Sequence, residues 1–135
     1  MFQITKRFEF DAAHRLYQYE GLCANLHGHH YIAEVTVEAT ELNQQGMVVD
    51  FGQLNKLIGG WINCNWDHAT LLNKEGPDDL AGRIFRMSQP TAENMTKLLH
   101  QVAVELLHHL PVKVVRVRMY ETPDSWADYD EPTKA

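Results

Sequence analysis

The stretch Cys23-Ala24-Asn25-Leu26-His27-Gly28-His29 leads into a run in which apolar and polar residues alternate as far as Thr40. In an extended strand, successive side chains point to opposite faces, so His27 and His29 share one face of the strand that this alternation predicts. The same phase is continued by a set of mostly apolar residues, namely Tyr31, Ala33, Val35, Val37 and Ala39. One face of this strand therefore begins with two imidazoles and continues into the protein core.

A third histidine, His14, ends an earlier alternation, in which residues 2–13 also read with a period of two. If the two strands pair antiparallel, His14 converges with His27 and His29 at one end of a sheet. Three protein ligands with an open fourth position are typical of catalytic zinc. A single histidine is more often a surface or hydrogen-bonded residue, but the shared face and the nearby thiol of Cys23 favour metal ligation by the three together.

Three interpretations of Cys23 are open. Cysteines in loops are often inert. Near a zinc ion the thiolate form is favoured electrostatically, which makes Cys23 a candidate base. As a fourth zinc ligand, Cys23 would instead close a structural site.

Two acidic positions are further candidates. Asp67-His68 places a carboxylate next to an imidazole, an arrangement that can orient and charge a proton carrier. Glu121 continues the apolar phase of Val115, Val117 and Met119, where a carboxylate is costly unless it is paired or binds a ligand. The alternative for Glu121 is a strand-end residue that has already reached solvent.

Sequence patterns along the rest of the chain predict an α+β fold. Residues 46–50 are predicted as a short third strand, 63–90 as mostly irregular, and 112–121 as the last long strand, with 126–129 as a short addition. This order predicts an antiparallel four-stranded sheet with two helices on one face, in a single domain over residues 1–135. Because such a sheet has two open edges, oligomerisation that closes the sheets into a barrel is expected.

The two helices have recognisable starts. Asp50 is the predicted N-cap of the first, which contains Gly59-Gly60, and Thr91 is the predicted N-cap of the second. Three histidines on the second helix are expected to face solvent: His100, His108 and His109.

The formal net charge of −6 at pH 7, without a basic run, argues against nucleic acid and anionic membrane surfaces as partners. Apolar stretches are far shorter than a membrane span, and the N-terminus lacks a signal-peptide layout, so a cytoplasmic location is expected. Cys23 and Cys64 suit a reducing compartment, and Cys64 is expected to be buried.

Six motifs spread over nearly the whole chain carry a resemblance to a known family. They are Phe10-Asp11-Ala12-Ala13-His14, Cys23-Ala24-Asn25-Leu26-His27-Gly28-His29, Met47-Val48-Val49-Asp50-Phe51, Trp66-Asp67-His68, Pro90-Thr91-Ala92-Glu93-Asn94 and Tyr120-Glu121-Thr122. In this order they resemble the 6-pyruvoyl-tetrahydropterin synthase family, and most of all its bacterial 6-carboxy-5,6,7,8-tetrahydropterin branch. The Cys-x-x-x-His-Gly-His element is the specific one.

The resemblance implies a zinc-dependent active site. His14, His27 and His29 would bind Zn²⁺. Cys23 would be the general base, with Asp67-His68 as a partnered proton-transfer pair.

The resemblance also implies a substrate and an assembly. Glu121 would anchor a pterin ring by accepting hydrogen bonds from its guanidine-like edge, with Thr91 and Glu93 around the pocket. The family's tunnelling fold implies trimers that close a barrel, usually stacked in pairs into a homohexamer, with active sites between subunits. The implied substrate is 7,8-dihydroneopterin triphosphate, a small molecule.

The implied reaction eliminates triphosphate and, in the carboxy branch, cleaves the side chain to release acetaldehyde and leave a 6-carboxy group, on the route to queuosine. The alternatives are the pyruvoyl product of the same family and a non-catalytic zinc- or pterin-binding module. In the module, Cys23 would complete the metal shell.

Overall fold

A computed structural model describes residues 1–131 of the chain, and its centre is a single six-stranded sheet. The strands are β1 (Phe2–His14), β2 (His27–Ala39), β3 (Ala69–Asn73), β4 (Ile84–Met87), β5 (Lys113–Thr122) and β6 (Ser125–Asp130). They lie in the order β4-β3-β1-β2-β5-β6. The pairs β1–β2, β2–β5 and β5–β6 are antiparallel, whereas β1–β3 and β3–β4 are parallel.

The predicted four-stranded antiparallel sheet is therefore wrong in strand number and in direction. Strands β3 and β4 lie inside the segment 63–90, which was predicted to be irregular. In β3 the buried residues are Ala69, Leu71 and Leu72, without a clean two-residue alternation, and β4 has only four residues. Short strands of a parallel pair lack the periodicity that identifies longer antiparallel strands, so the pattern did not reveal them.

The predicted strand at residues 46–50 is also wrong, because this segment is a loop that satisfies its own backbone. The Asn43 side-chain oxygen accepts hydrogen bonds from the backbone N–H of Gln45 and of Met47, both at 3.0 Å. The Met47 carbonyl accepts from the Asn43 N–H at 2.8 Å. A side chain that bonds to nearby backbone groups offers the chain an alternative to a sheet ladder.

Two helices pack on one face of the sheet, as predicted. Helix α1 covers residues 51–65 as three consecutive segments, an α-helical Phe51–Leu54, a π-helical Asn55–Gly59 and an α-helical Gly60–Asn65. Helix α2 is Ala92–Leu106. Both predicted N-caps are confirmed: the Asp50 carboxylate accepts from the Gly52 N–H at 2.7 Å, and the Thr91 hydroxyl accepts from the Asn94 N–H at 3.2 Å.

Gly59 lets α1 lie close to β1. A Cβ atom on Gly59 would lie 3.1 Å from Oδ1 of Asn55 and 3.4 Å from the Phe8 ring, whereas a Cβ on Gly60 would meet no atom within 4 Å. A side chain at position 59 would thus require its neighbours to shift by a few tenths of an ångström, whereas one at position 60 would not.

Three smaller expectations are also wrong. His100 is buried, with its ring 5.0 Å from that of Tyr129, and Cys64 is exposed. In β5, Val114 rather than Val115 faces the core, because the register between β2 and β5 shifts at Thr36/Val37. The shift is a β-bulge, which reverses the phase of a strand on one side of it.

Candidate metal centre

The pairing of β1 with β2 brings three imidazoles together at one end of the sheet. His14 lies directly opposite His27, and His29 lies opposite Ala12 on the same face. The ring centroids of the three histidines are 4.6, 4.9 and 5.1 Å apart. Glu121, near the end of β5, reaches the same point, and one donor atom from each of the four residues lies within 4.8 Å of all the others.

The backbone fixes which nitrogen of two of these rings faces the others. Nδ1 of His14 lies 2.7 Å from the Pro90 carbonyl oxygen, and Nδ1 of His27 lies 2.7 Å from that of Asn25. Because a carbonyl only accepts hydrogen bonds, both Nδ1 atoms carry the proton and both Nε2 atoms carry a lone pair. The two Nε2 atoms nevertheless face each other at 3.1 Å, an arrangement that a shared cation would stabilise.

The third imidazole has an unpartnered nitrogen at the same point. Nε2 of His29 is buried and lies 3.2 Å from Oε1 of Glu121, but the geometry does not make a hydrogen bond. The short distance places the Glu121 carboxylate directly beside the point at which the imidazoles converge. Three imidazole nitrogens with an open fourth position form a donor set suited to Zn²⁺.

Electrostatics at the cluster favour the neutral, metal-binding form of the imidazoles. Burial lowers the pKa of His14 and of His29, although the carboxylate of Glu121 acts in the opposite direction on both. His14 is the deepest of the three, at 2% exposed. The hydroxyl of the buried Tyr31 lies 3.2 Å from Nδ1 of His14. Tyr31 follows His29 by two residues in the same strand, so the alternation of that strand could have predicted this contact.

The residues predicted to surround a pterin are partly assembled. Glu93 and Glu121 line one depression of about 430 Å³ together with Trp126 and Asp128. Thr91 is not among the residues lining that depression, and its hydroxyl caps α2.

Cys23 is not one of the donors that converge at the imidazole cluster. It belongs to a short 3-10 turn, Leu22–Ala24, whose Cys23 carbonyl accepts a hydrogen bond from the Leu16 N–H at 2.8 Å. Cys23 is partly buried. The pKa of Tyr31 is raised mainly by burial and further by the carboxylate of Glu121. Among residues 1–131, the donor atoms that meet at the centre do not include the Cys23 sulfur.

Asp67 and His68 form a pair, but not with the imidazole cluster. Nδ1 of His68 lies 3.0 Å from Oδ1 of Asp67, which also accepts from the Asp11 backbone N–H at 3.1 Å. Asp11 is exposed on the opposite face of β1 from His14, and the His68 side chain is 76% exposed beside it. Burial tends to raise the pKa of Asp67, but the Asp11 N–H and the His68 ring outweigh it and lower that pKa.

The Pro90 carbonyl is the group that the sequence did not indicate. It lies 76 residues from His14 in the chain, and a backbone oxygen has no signature in a sequence.

In the part of the chain that the structure describes, no helix is long and apolar enough to cross a membrane.

Comparison with known proteins places the chain in a family. The sequence pattern of the 6-pyruvoyl tetrahydropterin synthase family matches residues 3–132. A 6-carboxy-5,6,7,8-tetrahydropterin synthase from Rickettsia bellii is 33% identical over 138 residues, which cover 95% of this chain and 99% of that protein.

Two solved structures share the fold. An uncharacterized protein from Wolinella succinogenes superposes with a TM-score of 0.85 at 24% identity, covering 97% of this chain and 98% of that one. The 6-pyruvoyl tetrahydropterin synthase of Plasmodium falciparum superposes with a TM-score of 0.76 at 16% identity, covering 96% and 97%.

Proposed function

The chain belongs to the 6-pyruvoyl tetrahydropterin synthase family, and we propose that it is a cytoplasmic, zinc-dependent lyase that forms 6-carboxy-5,6,7,8-tetrahydropterin from 7,8-dihydroneopterin triphosphate. The reaction consumes one water, releases triphosphate and acetaldehyde, and needs no external oxidant or reductant. One observation carries the proposal: three imidazole nitrogens and the Glu121 carboxylate converge on one point.

His14, His27 and His29 would hold the zinc ion, which fits their tautomers and the unpartnered Nε2 of His29. A bound zinc ion would act as a Lewis acid that withdraws charge from the side-chain hydroxyls of the substrate and acidifies the neighbouring C–H bond.

Cys23 is the proposed general base. That Cys23 is not one of the converging donors supports this role over that of a fourth ligand. As a thiolate it would accept the proton from the acidified C–H bond, after which the triphosphate leaves with its bonding electrons.

Asp67 and His68 would serve the site of a neighbouring subunit. Asp67 bonds to the backbone of Asp11, whose side chain lies on the face of β1 opposite to that of His14. This position supports a role in proton transfer on a substrate bound by another copy. Both edge strands are short, with four residues in β4 and six in β6, and each has one unpaired side in the single chain. We propose trimers that close a barrel through these edges and stack into a homohexamer.

Glu121 would also recognise the pterin. The amino and ring N–H groups of a pterin form a planar donor pair that one carboxylate can accept from. Glu93 lines the same depression and would contact the ring from α2. Thr91, as the N-cap of α2, would act by holding the start of that helix.

The decisive experiment is to incubate the purified protein with 7,8-dihydroneopterin triphosphate and to identify the product by mass. The 6-carboxy product supports the proposal, whereas a 6-pyruvoyl product would instead support the alternative activity of the same family. Unchanged substrate, with zinc bound, would favour a non-catalytic zinc- or pterin-binding module.

A further inference from the structure

One side chain, that of Gln89, holds the loop between β4 and α2 against the end of β1. Oε1 of Gln89 accepts from the Tyr17 backbone N–H at 2.9 Å, and Nε2 donates to the Tyr17 carbonyl at 2.9 Å. Oε1 also accepts from Nδ2 of Asn73, the last residue of β3, at 3.0 Å. Because Tyr17 offers both a donor and an acceptor, the orientation of the Gln89 amide is determined by its partners.

The backbone of Gln89 is fixed as well. Its carbonyl accepts from the Thr91 N–H at 2.8 Å and from Nδ2 of Asn94 at 2.9 Å, which tie it to the start of α2. Gln89 is therefore attached on one side to β3 and to the turn that follows β1, and on the other side to a helix. The next carbonyl in the chain, that of Pro90, meets Nδ1 of His14 at 2.7 Å.

We propose that Gln89 is a positioning residue for the metal centre, an inference that rests on the proposed function. By anchoring the loop to Tyr17, three residues after His14, Gln89 keeps the Pro90 carbonyl in register with the His14 ring. The carbonyl in turn keeps the proton on Nδ1 and leaves Nε2 free to bind the metal. Groups that orient a ligating histidine typically change metal affinity by about 10- to 100-fold when they are removed.

The test compares zinc binding by Gln89→Leu and by a matched control. Leucine is similar in size but loses all three side-chain hydrogen bonds, whereas Gln101→Leu makes the same change at an exposed position of α2. Zinc affinity is measured by competition with a chelator. The visible spectrum of the Co²⁺-substituted protein reports the ligand geometry, and urea unfolding of the metal-free protein reports the fold.

We expect Gln89→Leu to weaken zinc binding by about 10- to 100-fold and to alter the cobalt spectrum, with Gln101→Leu unchanged on both counts. If Gln89→Leu does not fold, Gln89→Glu keeps the acceptor oxygen towards Tyr17 but loses the donor, and it should give a smaller loss in the same direction. Unchanged zinc affinity in the folded variant, even with a lower unfolding midpoint, would overturn the inference alone. If the wild-type protein binds no metal, both the Gln89 inference and the proposed function are overturned.

Discussion

Replacing Glu121 with glutamine distinguishes the two roles that its position allows, recognition of the proposed pterin substrate and ligation of a metal ion. The substitution nearly preserves shape but exchanges one acceptor oxygen for a donor, so a pterin N–H group would face another donor. A hydrogen bond to a charged group contributes about 1.5–3 kcal/mol, and its loss weakens pterin binding by about 10- to 150-fold. The half-buried position of Glu121 favours the upper part of this range, because solvent competes little there.

The assay is calorimetric titration of zinc-loaded protein with 7,8-dihydroneopterin, which lacks the triphosphate and is not expected to react. Glu93→Gln is the matched control, since Glu93 lines the same depression from an exposed position and should cost less than about 1 kcal/mol. Unchanged affinity in Glu121→Gln would refute the assignment and leave Glu121 as a strand-end carboxylate. Zinc content is measured in parallel, because Oε1 of Glu121 lies 3.2 Å from Nε2 of His29, and a loss of zinc would make Glu121 a metal ligand instead.

Three further predictions concern the ligands and the base. His27→Ala should lower zinc content sharply by metal analysis, and undiminished zinc would remove His27 from the ligand set. Cys23→Ala should retain zinc and assembly but lose at least about 10²-fold in turnover. His68→Ala is expected to lose activity as well, and mixing subunits of the two variants should restore part of the activity. No recovery on mixing would contradict a site shared between subunits. Because burial holds the pKa of His14 and His29 below 6.5, zinc affinity should be nearly constant from about pH 8 to pH 7 and be lost as the pH falls further. A steep fall already above pH 7, measured by chelator competition, would instead indicate ligation by the thiol of Cys23.

The part of the site built on long antiparallel strands was predictable from the sequence. Alternation over β1 and β2 put His14, His27 and His29 on one face, and the observed register brings them together. In β5 the alternation correctly predicted that Val117 and Met119 face the core. It failed for Val115, because the bulge at Thr36/Val37 shifts the register and places Val114 in the core instead.

Groups that depend on tertiary contacts were not predictable. Strands β3 and β4 are too short to show a period, so the parallel pairing that puts Asp67 and His68 across the sheet from the imidazoles had no sequence signal. The Pro90 carbonyl and its Gln89 anchor act through backbone geometry between distant segments, and this geometry exists only once the chain has folded.

The two adjacent glycines of α1 differ in the space around them. A side chain at position 59 would press against the Asn55 side chain and touch the Phe8 ring, so a substitution there requires its neighbours to shift. Position 60 has open space, and a change to alanine at such a helical site typically adds about 0.4–1 kcal/mol of stability by restricting the unfolded chain. Added stability of this size would offset part of the cost of a destabilising substitution elsewhere in the chain, for example around the imidazole cluster.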